Sequence, residues 1–145
     1  MSNEFDSIRD VVRDGIARAI AIVGLAGIAL IHLLDAPGTF QDSAYKGWLY
    51  VGLIVGCVGA AAALIRAGDR RAWTAAALLA AGAMLAYVVS RTIGLPQGAD
   101  DIGNWNEPLG IASLFVEGAL VALCWERLRS FSFVPYGRAL VSARA

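Results

Sequence analysis

Four apolar stretches dominate this chain of 145 residues, and each is long enough to cross a lipid bilayer. They run over approximately residues 16–34, 47–65, 73–89 and 108–125. A hydrocarbon core of ~30 Å requires about 20 apolar residues in a helix. Lipid offers the backbone no hydrogen-bond partner, and a closed β-barrel would show alternating segments instead of solid apolar runs. The sequence therefore predicts an all-α fold, a four-transmembrane-helix bundle made of two helical hairpins.

A soluble helical protein is the less favoured alternative. With 58% hydrophobic residues, none of the four stretches would keep a polar face for water. Heavy use of alanine and glycine, with arginine strongly preferred to lysine, is typical of a GC-rich bacterial genome. We therefore expect an integral protein of a bacterial plasma membrane.

The basic residues are unevenly divided between the two sides of the predicted bundle. One side holds Lys46 and Arg91 among the acidic residues Asp35, Asp42, Asp100, Asp101 and Glu107. The other side holds ten arginines, namely Arg9, Arg13, Arg18, Arg66, Arg70, Arg71, Arg127, Arg129, Arg138 and Arg144. Because cytoplasmic loops carry the excess of basic residues, both termini are predicted to be cytoplasmic.

The first fifteen residues are predicted to form an amphipathic segment at the inner leaflet. Hydrophobic side chains recur there at helical spacing, at Phe5, Ile8, Val12 and Ile16. The alternative is a solvated extension of the first span. No small-x-small cleavage site follows Leu34, which favours an uncleaved first helix over a signal peptide. We therefore divide the chain into residues 1–15, a membrane domain over 16–125, and a basic cytoplasmic tail over 126–145.

The second span carries Gly52, Gly56 and Gly59, which would let another helix approach closely. This spacing predicts helix packing, either within the bundle or across a homodimer. Cys57 and Cys124 differ in depth by several turns, so we expect packing residues and no disulfide.

Glu117 is the most informative residue, because it lies near the centre of the fourth span. A carboxylate there costs at least ~2.5–3.5 kcal/mol unless it is protonated or paired, so we expect it to face the bundle interior. Arg91, near the end of the third span, is a candidate partner. The alternative is that Arg91 extends outward to lipid headgroups and acidic loop residues.

Further polar residues could join this centre. Tyr87 precedes Arg91 by four residues and Ser113 precedes Glu117 by four, so each pair shares one helix face. His32 lies about one turn inside the end of the first span, where a hydrogen-bonded packing role is the alternative to a functional one. The candidate ligand or polar-core residues are therefore His32, Tyr87, Arg91, Glu107, Ser113 and Glu117.

The loop before the fourth span, residues 97–108, is rich in side-chain oxygens. Their order does not match the spacing of a calcium-binding loop. The favoured interpretation is mechanical, with Asn106 or Glu107 capping a helix that begins at Pro108. We predict no metal site and no cofactor, although His32 with Asp35 and Glu117 remains a conceivable metal arrangement.

The combination of His32-Leu-Leu, Ser90-Arg-Thr-Ile-Gly-Leu-Pro96, Gly103-Asn-Trp-Asn-Glu-Pro-Leu-Gly110 and Ser113-Leu-Phe-Val-Glu117 resembles a group of small uncharacterised four-helix membrane proteins of high-GC bacteria. The likeness spans about residues 30–120. It implies the four-helix topology and makes the stretch from Ser90 to Glu117 look like a signature, but it implies no substrate.

Two classes of function follow from these observations. The first, which the sequence favours because four short helices enclose little volume, is a small accessory or interaction component with a buried polar tie, contacting lipid, another membrane protein or a second copy. The second is a transporter or ligand-binding bundle with an outward-facing polar cavity around Glu117, Arg91 and His32. An enzyme is less favoured, because the sequence has no paired intramembrane carboxylates and no activated nucleophile. No nucleic-acid partner is expected.

Overall fold

A computed structural model describes residues 2–132, with side chains over residues 4–131. Four long helices make up this part of the chain, in the order α1 (Ser2–Asp42), α2 (Ala44–Arg66), α3 (Arg70–Thr92) and α4 (Pro108–Ser132). A short 3-10 turn, Ala99–Asp101, lies in the loop between α3 and α4. Each long helix contains one predicted span and is long and apolar enough to cross a membrane. The all-α prediction of four candidate spanning helices is therefore confirmed.

Helix α1 is one continuous helix of 41 residues, so the first fifteen residues are not a separate helix. At 1.5 Å per residue it is roughly 60 Å long, about twice the hydrocarbon thickness. Part of α1 must therefore lie outside the hydrocarbon core. The side chains of Phe5, Ile8 and Val12 are more than half exposed, at 64%, 56% and 54%. Their location at the inner leaflet stays a prediction.

The turns between the helices are short. Ser43 alone separates α1 from α2, in an extended conformation with φ −160° and ψ 114°. Between α2 and α3, Gly68 has a φ of 57°, and a side chain there would collide with Arg18. Asp69 caps α3 by accepting a hydrogen bond of 2.9 Å from the backbone N–H of Ala72. These turns force the neighbouring helices to run antiparallel.

The packing follows the predicted hairpins, since α1 contacts α2 and α3 contacts α4 most extensively, while α2 and α3 meet less closely. The largest fully buried apolar side chains are Leu25, Ile28, Leu64 and Trp73. Alanines fill most of the space around them, so the helices approach closely. Cys57 and Cys124 are free and buried in this core, as expected for packing residues.

The three glycines of α2 that were predicted to pack against another helix, Gly52, Gly56 and Gly59, have different surroundings. A Cβ atom at Gly56 would lie 2.8 Å from Leu79 Cδ2, so Gly56 permits close contact with α3. A Cβ atom at Gly52 or Gly59 would meet nothing within 4 Å. Only Gly56 of the three is therefore needed for packing within the described part of the bundle.

Ion pairs stabilise the end of the bundle where α1 begins and α4 ends. Asp14 binds Arg18 at 2.7 Å and also binds Arg127. The guanidinium of Arg127 lies 5.5 Å from the centre of the buried Trp73 ring. Because α4 continues to Ser132, the first residues of the predicted tail are helical and attached to the bundle. Arg138 and Arg144 lie outside the described residues.

Candidate functional site

A cavity of about 460 Å³ occupies the half of the bundle near the 93–107 loop. All four helices contribute to its wall, and it extends from Asp42 and Lys46 at the loop end to Glu117 in the interior. Its volume falls within the range of roughly 300–1,000 Å³ that is typical of small-molecule sites. Apolar side chains line part of the wall, chiefly leucines of α2 and α3. The cavity therefore offers both polar groups and an apolar surface.

Glu117 forms the deep end of this cavity and is 1% exposed, which confirms its predicted inward orientation. The hydroxyl of Ser113, one turn earlier on α4, donates a hydrogen bond of 2.6 Å to Oε1. The other carboxyl oxygen, Oε2, is buried without a hydrogen-bond partner among the described residues. Buried polar atoms are normally paired, so this oxygen lacks the partner that such atoms usually have.

Arg91 does not pair with Glu117, which was one of the two arrangements that the sequence left open for it. Arg91 is 7% exposed, and its guanidinium instead binds Asp101 Oδ1 at 2.8 Å and also Glu107. The reason is geometric, because the loop after α3 folds back over the end of that helix and brings its carboxylates to the arginine. Arg91 instead adopts the outward arrangement, in which its guanidinium binds acidic residues of the loop that follows α3.

The backbone of the 93–107 loop supports this arrangement. Gly103 has a φ of 79°, and its N–H donates a hydrogen bond of 2.9 Å to the carbonyl of Arg91. Lys46 of α2 also binds Asp101, at 3.2 Å. Glu107 precedes Pro108, where α4 begins as predicted, and its carbonyl accepts from the N–H of Ile111 at 3.0 Å. Asp101 and Glu107 thus attach the 93–107 loop to the helices, through Arg91 of α3 and Lys46 of α2.

His32 lines the cavity from α1. Its Nδ1 lies 2.9 Å from the carbonyl of Ile28, and since a carbonyl can only accept, Nδ1 carries the proton. In the neutral ring Nε2 is therefore an acceptor. The ring of Tyr50 packs edge-on against His32, with 4.7 Å between the ring centres. The Tyr50 hydroxyl donates to Asp35 at 3.0 Å.

Tyr87 lines the cavity from α3, beside Arg91. The guanidinium of Arg91 lies 4.8 Å from the centre of the Tyr87 ring, a cation–π contact. A side chain at Gly110 of α4 would collide with this ring, so glycine is needed there for α3 and α4 to meet. The shared face of Tyr87 and Arg91, and that of Ser113 and Glu117, are therefore both present in one cavity wall.

The candidate residues thus separate into two groups. His32, Tyr87, Ser113 and Glu117 present polar groups to the cavity, whereas Arg91 and Glu107 neutralise each other at its rim. Sequence reasoning missed the contribution of Tyr50, because a tyrosine near the end of a span is also typical of a lipid-facing interface residue. It also missed Lys46 as a partner of Asp101, since residues 55 positions apart carry no local signal.

The conceivable metal arrangement of His32, Asp35 and Glu117 is not formed. Within residues 4–131 no group of three or more His, Cys, Asp and Glu side chains could hold a metal ion. Asp35 is engaged instead by the hydroxyls of Thr39 and Tyr50.

The chain matches no protein-family model, and comparison with curated proteins and with solved structures finds no similar one. The resemblance to small bacterial four-helix proteins therefore stays a prediction. What this chain does must be argued from its cavity.

Proposed function

We propose that this protein is a small-solute-binding membrane bundle, the second of the two classes that the sequence left open. The observation that carries this proposal is the cavity that extends from the loop end of the bundle to Glu117, whose Oε2 is buried without a hydrogen-bond partner among the described residues. Burying an unpaired carboxyl oxygen costs free energy. A solute that donates a hydrogen bond to this oxygen would offset that cost.

The membrane and its sidedness belong to the same proposal. We place the protein in a bacterial plasma membrane with both termini in the cytoplasm, so that the 93–107 loop and the cavity entrance face outward. The support is the positive-inside bias, because ten of the twelve basic residues lie toward the termini and the α2–α3 turn.

Filling the cavity should abolish solute binding without unfolding the protein. Gly82 of α3 lines the cavity, and a Cβ atom there would meet nothing within 4 Å. We expect Gly82→Leu to occupy the space that a solute needs. Thermal unfolding, followed by tryptophan fluorescence, would be measured with a panel of small cations, neutral solutes and anions. At least one should raise the wild-type midpoint and leave that of Gly82→Leu unchanged.

Gly52→Leu is the matched control, since Gly52 is also a helical glycine in open space but does not line the cavity. It should respond to solutes like the wild type. Access is measured separately by Ser113→Cys, at a buried position that lines the cavity, which should react in intact cells with a membrane-impermeant thiol reagent, while the buried Cys57 and Cys124, which do not line it, should not. A panel without effect, together with an unreactive cysteine at position 113, would refute solute binding.

A second candidate function is an interaction component that self-associates. The observation that favours it is a groove of about 810 Å³ between α2 and α3, lined by Gly56, Gly59 and several alanines. Small residues of this kind allow close helix approach in membranes. We propose a second copy of this chain as the occupant.

Gly59→Leu tests this association. Because a Cβ atom at Gly59 meets nothing within 4 Å, the substitution should leave the fold intact while blocking the groove. Light scattering in detergent should show that the wild type is a dimer and that Gly59→Leu is a monomer. Gly52→Leu should remain dimeric. A monomeric wild type, or a Gly59→Leu dimer, would count against this second function.

A further inference from the structure

The charges that line the cavity are unbalanced. Five acidic side chains and two basic ones contribute to its wall, namely Asp35, Asp42, Asp101, Glu107 and Glu117 against Lys46 and Arg91. Both basic residues are already engaged, since Arg91 binds Asp101 and Glu107 and Lys46 binds Asp101. Within the described part of the chain, Glu117 therefore has no lysine or arginine partner, and the basic side chain that interacts with it electrostatically is that of His32. An anionic solute would meet this excess of negative charge, whereas a cation would reduce it.

We infer, building on the proposed solute-binding function, that the solute is a small organic cation with a primary ammonium group, for which the carboxylate of Glu117 is the counter-ion. A primary ammonium carries three N–H donors and no acceptor. The cavity presents matching acceptors on different helices, with Glu117 Oε2 on α4 and His32 Nε2 on α1 both free of hydrogen bonds to other described residues. Tyr87 on α3 adds a buried hydroxyl.

The remainder of the cavity argues against an inorganic ion as the solute. Hard cations such as Ca²⁺ need six or more oxygen ligands, and no such cluster exists among the described side chains. A volume of about 460 Å³ is also far larger than a bare ion occupies. The apolar part of the wall includes Leu53, Leu79 and Leu109. This surface suits the hydrocarbon portion of an alkylammonium, while the head reaches Glu117.

The test is calorimetric titration of the full-length protein in phosphatidylcholine nanodiscs with three probes of the same shape and different charge. These are cyclohexylammonium, cyclohexanol and cyclohexanecarboxylate. The ammonium probe should bind more tightly than the other two. Glu117→Gln should weaken ammonium binding at least about tenfold, because the glutamine oxygen can still accept a hydrogen bond but no longer supplies the opposite charge, and should leave cyclohexanol binding unchanged. Gly52→Leu, at a position that does not line the cavity, should retain the ammonium preference.

Two additional measurements distinguish a lipid headgroup from a free amine and provide a second variant. Ethanolamine phospholipids carry the same ammonium group, so adding them to the nanodiscs distinguishes a lipid from a free amine. Competition that lowers ammonium affinity in the wild type would identify the lipid headgroup as the source. Should Glu117→Gln fail to fold, Gly82→Leu provides the second variant and should abolish ammonium binding.

Equal binding of the three probes, or a preference for the carboxylate that Gly82→Leu removes, would overturn the cation assignment and leave solute binding standing. Ammonium binding that is equally strong in Glu117→Gln would overturn the role of Glu117. Absence of binding by all three probes also overturns the assignment. Solute binding itself falls only if the wider panel and the labelling at position 113 fail as well.

Discussion

Arg91→Ala should destabilise the protein by about 3 kcal/mol. Arg91 is 7% exposed and holds two carboxylates, Asp101 at 34% and Glu107 at 31% side-chain exposure. Removing the guanidinium leaves Asp101 with Lys46 as its remaining cationic partner and takes from Glu107 the cation that it binds. It also releases the 93–107 loop from the end of α3. We place the cost at the lower end for a broken buried pair, because each carboxylate retains some contact with solvent.

The measurement is reversible unfolding in mixed micelles, followed by circular dichroism, together with limited proteolysis of the loop. Arg91→Lys should cost less than Arg91→Ala, because lysine keeps the charge but cannot bind two carboxylates with a planar fork. Asp100→Asn is the matched loop control, since Asp100 is exposed, and its effect should be within about 0.5 kcal/mol. If Arg91→Ala unfolds like the wild type and its loop resists cleavage equally, Arg91 does not hold the loop.

Trp73→Ala should lower the free energy of unfolding by about 3–5 kcal/mol, a loss comparable to that expected for Arg91→Ala. Trp73 is 0% exposed and lies where α1, α3 and α4 meet, with the guanidinium of Arg127 at 5.5 Å from its ring centre. The core cluster to which it belongs is rich in alanines, whose short side chains cannot move in to fill the space left by an indole. In a bilayer the loss is chiefly one of packing contacts, because lipid is as apolar as the core.

Trp125→Ala provides the comparison for this second substitution. Trp125 is 63% exposed, so its removal takes away few internal contacts, and the unfolding free energy should change by less than about 1 kcal/mol. Both variants lose one tryptophan, so their unfolding should be followed by circular dichroism instead of fluorescence. Similar losses of stability in Trp73→Ala and Trp125→Ala would mean that burial of Trp73 does not determine how the helices pack around it.

The four helices could be predicted from sequence because lipid leaves the backbone few alternatives. Apolar runs of sufficient length must be helical, and each of α1 to α4 contains one predicted span. The ends of the helices were predicted less accurately. Helix α1 continues through Pro37 to Asp42, and α4 continues past Trp125 to Ser132, because polar residues can extend a helix beyond the apolar stretch that identifies it.

The candidate site was predictable only in part. Burial of Glu117 and the shared faces of Ser113 with Glu117 and of Tyr87 with Arg91 follow from helical periodicity and from the cost of charge in lipid. The choice of partner for Arg91 does not follow from either. It depends on how the 93–107 loop folds back over α3, and a loop conformation leaves little trace in composition.

The sequence by itself determined the helical class of this protein, its four candidate spans and the inward orientation of its central carboxylate. These are local properties, set by each residue's preference for lipid or for an interior. The tertiary structure alone decided that Arg91 binds Asp101 and Glu107, that Lys46 and Tyr50 join the cavity, and that Glu117 keeps an unpaired oxygen. These depend on contacts between residues far apart in the chain, which only the packed helices and the folded loop bring together.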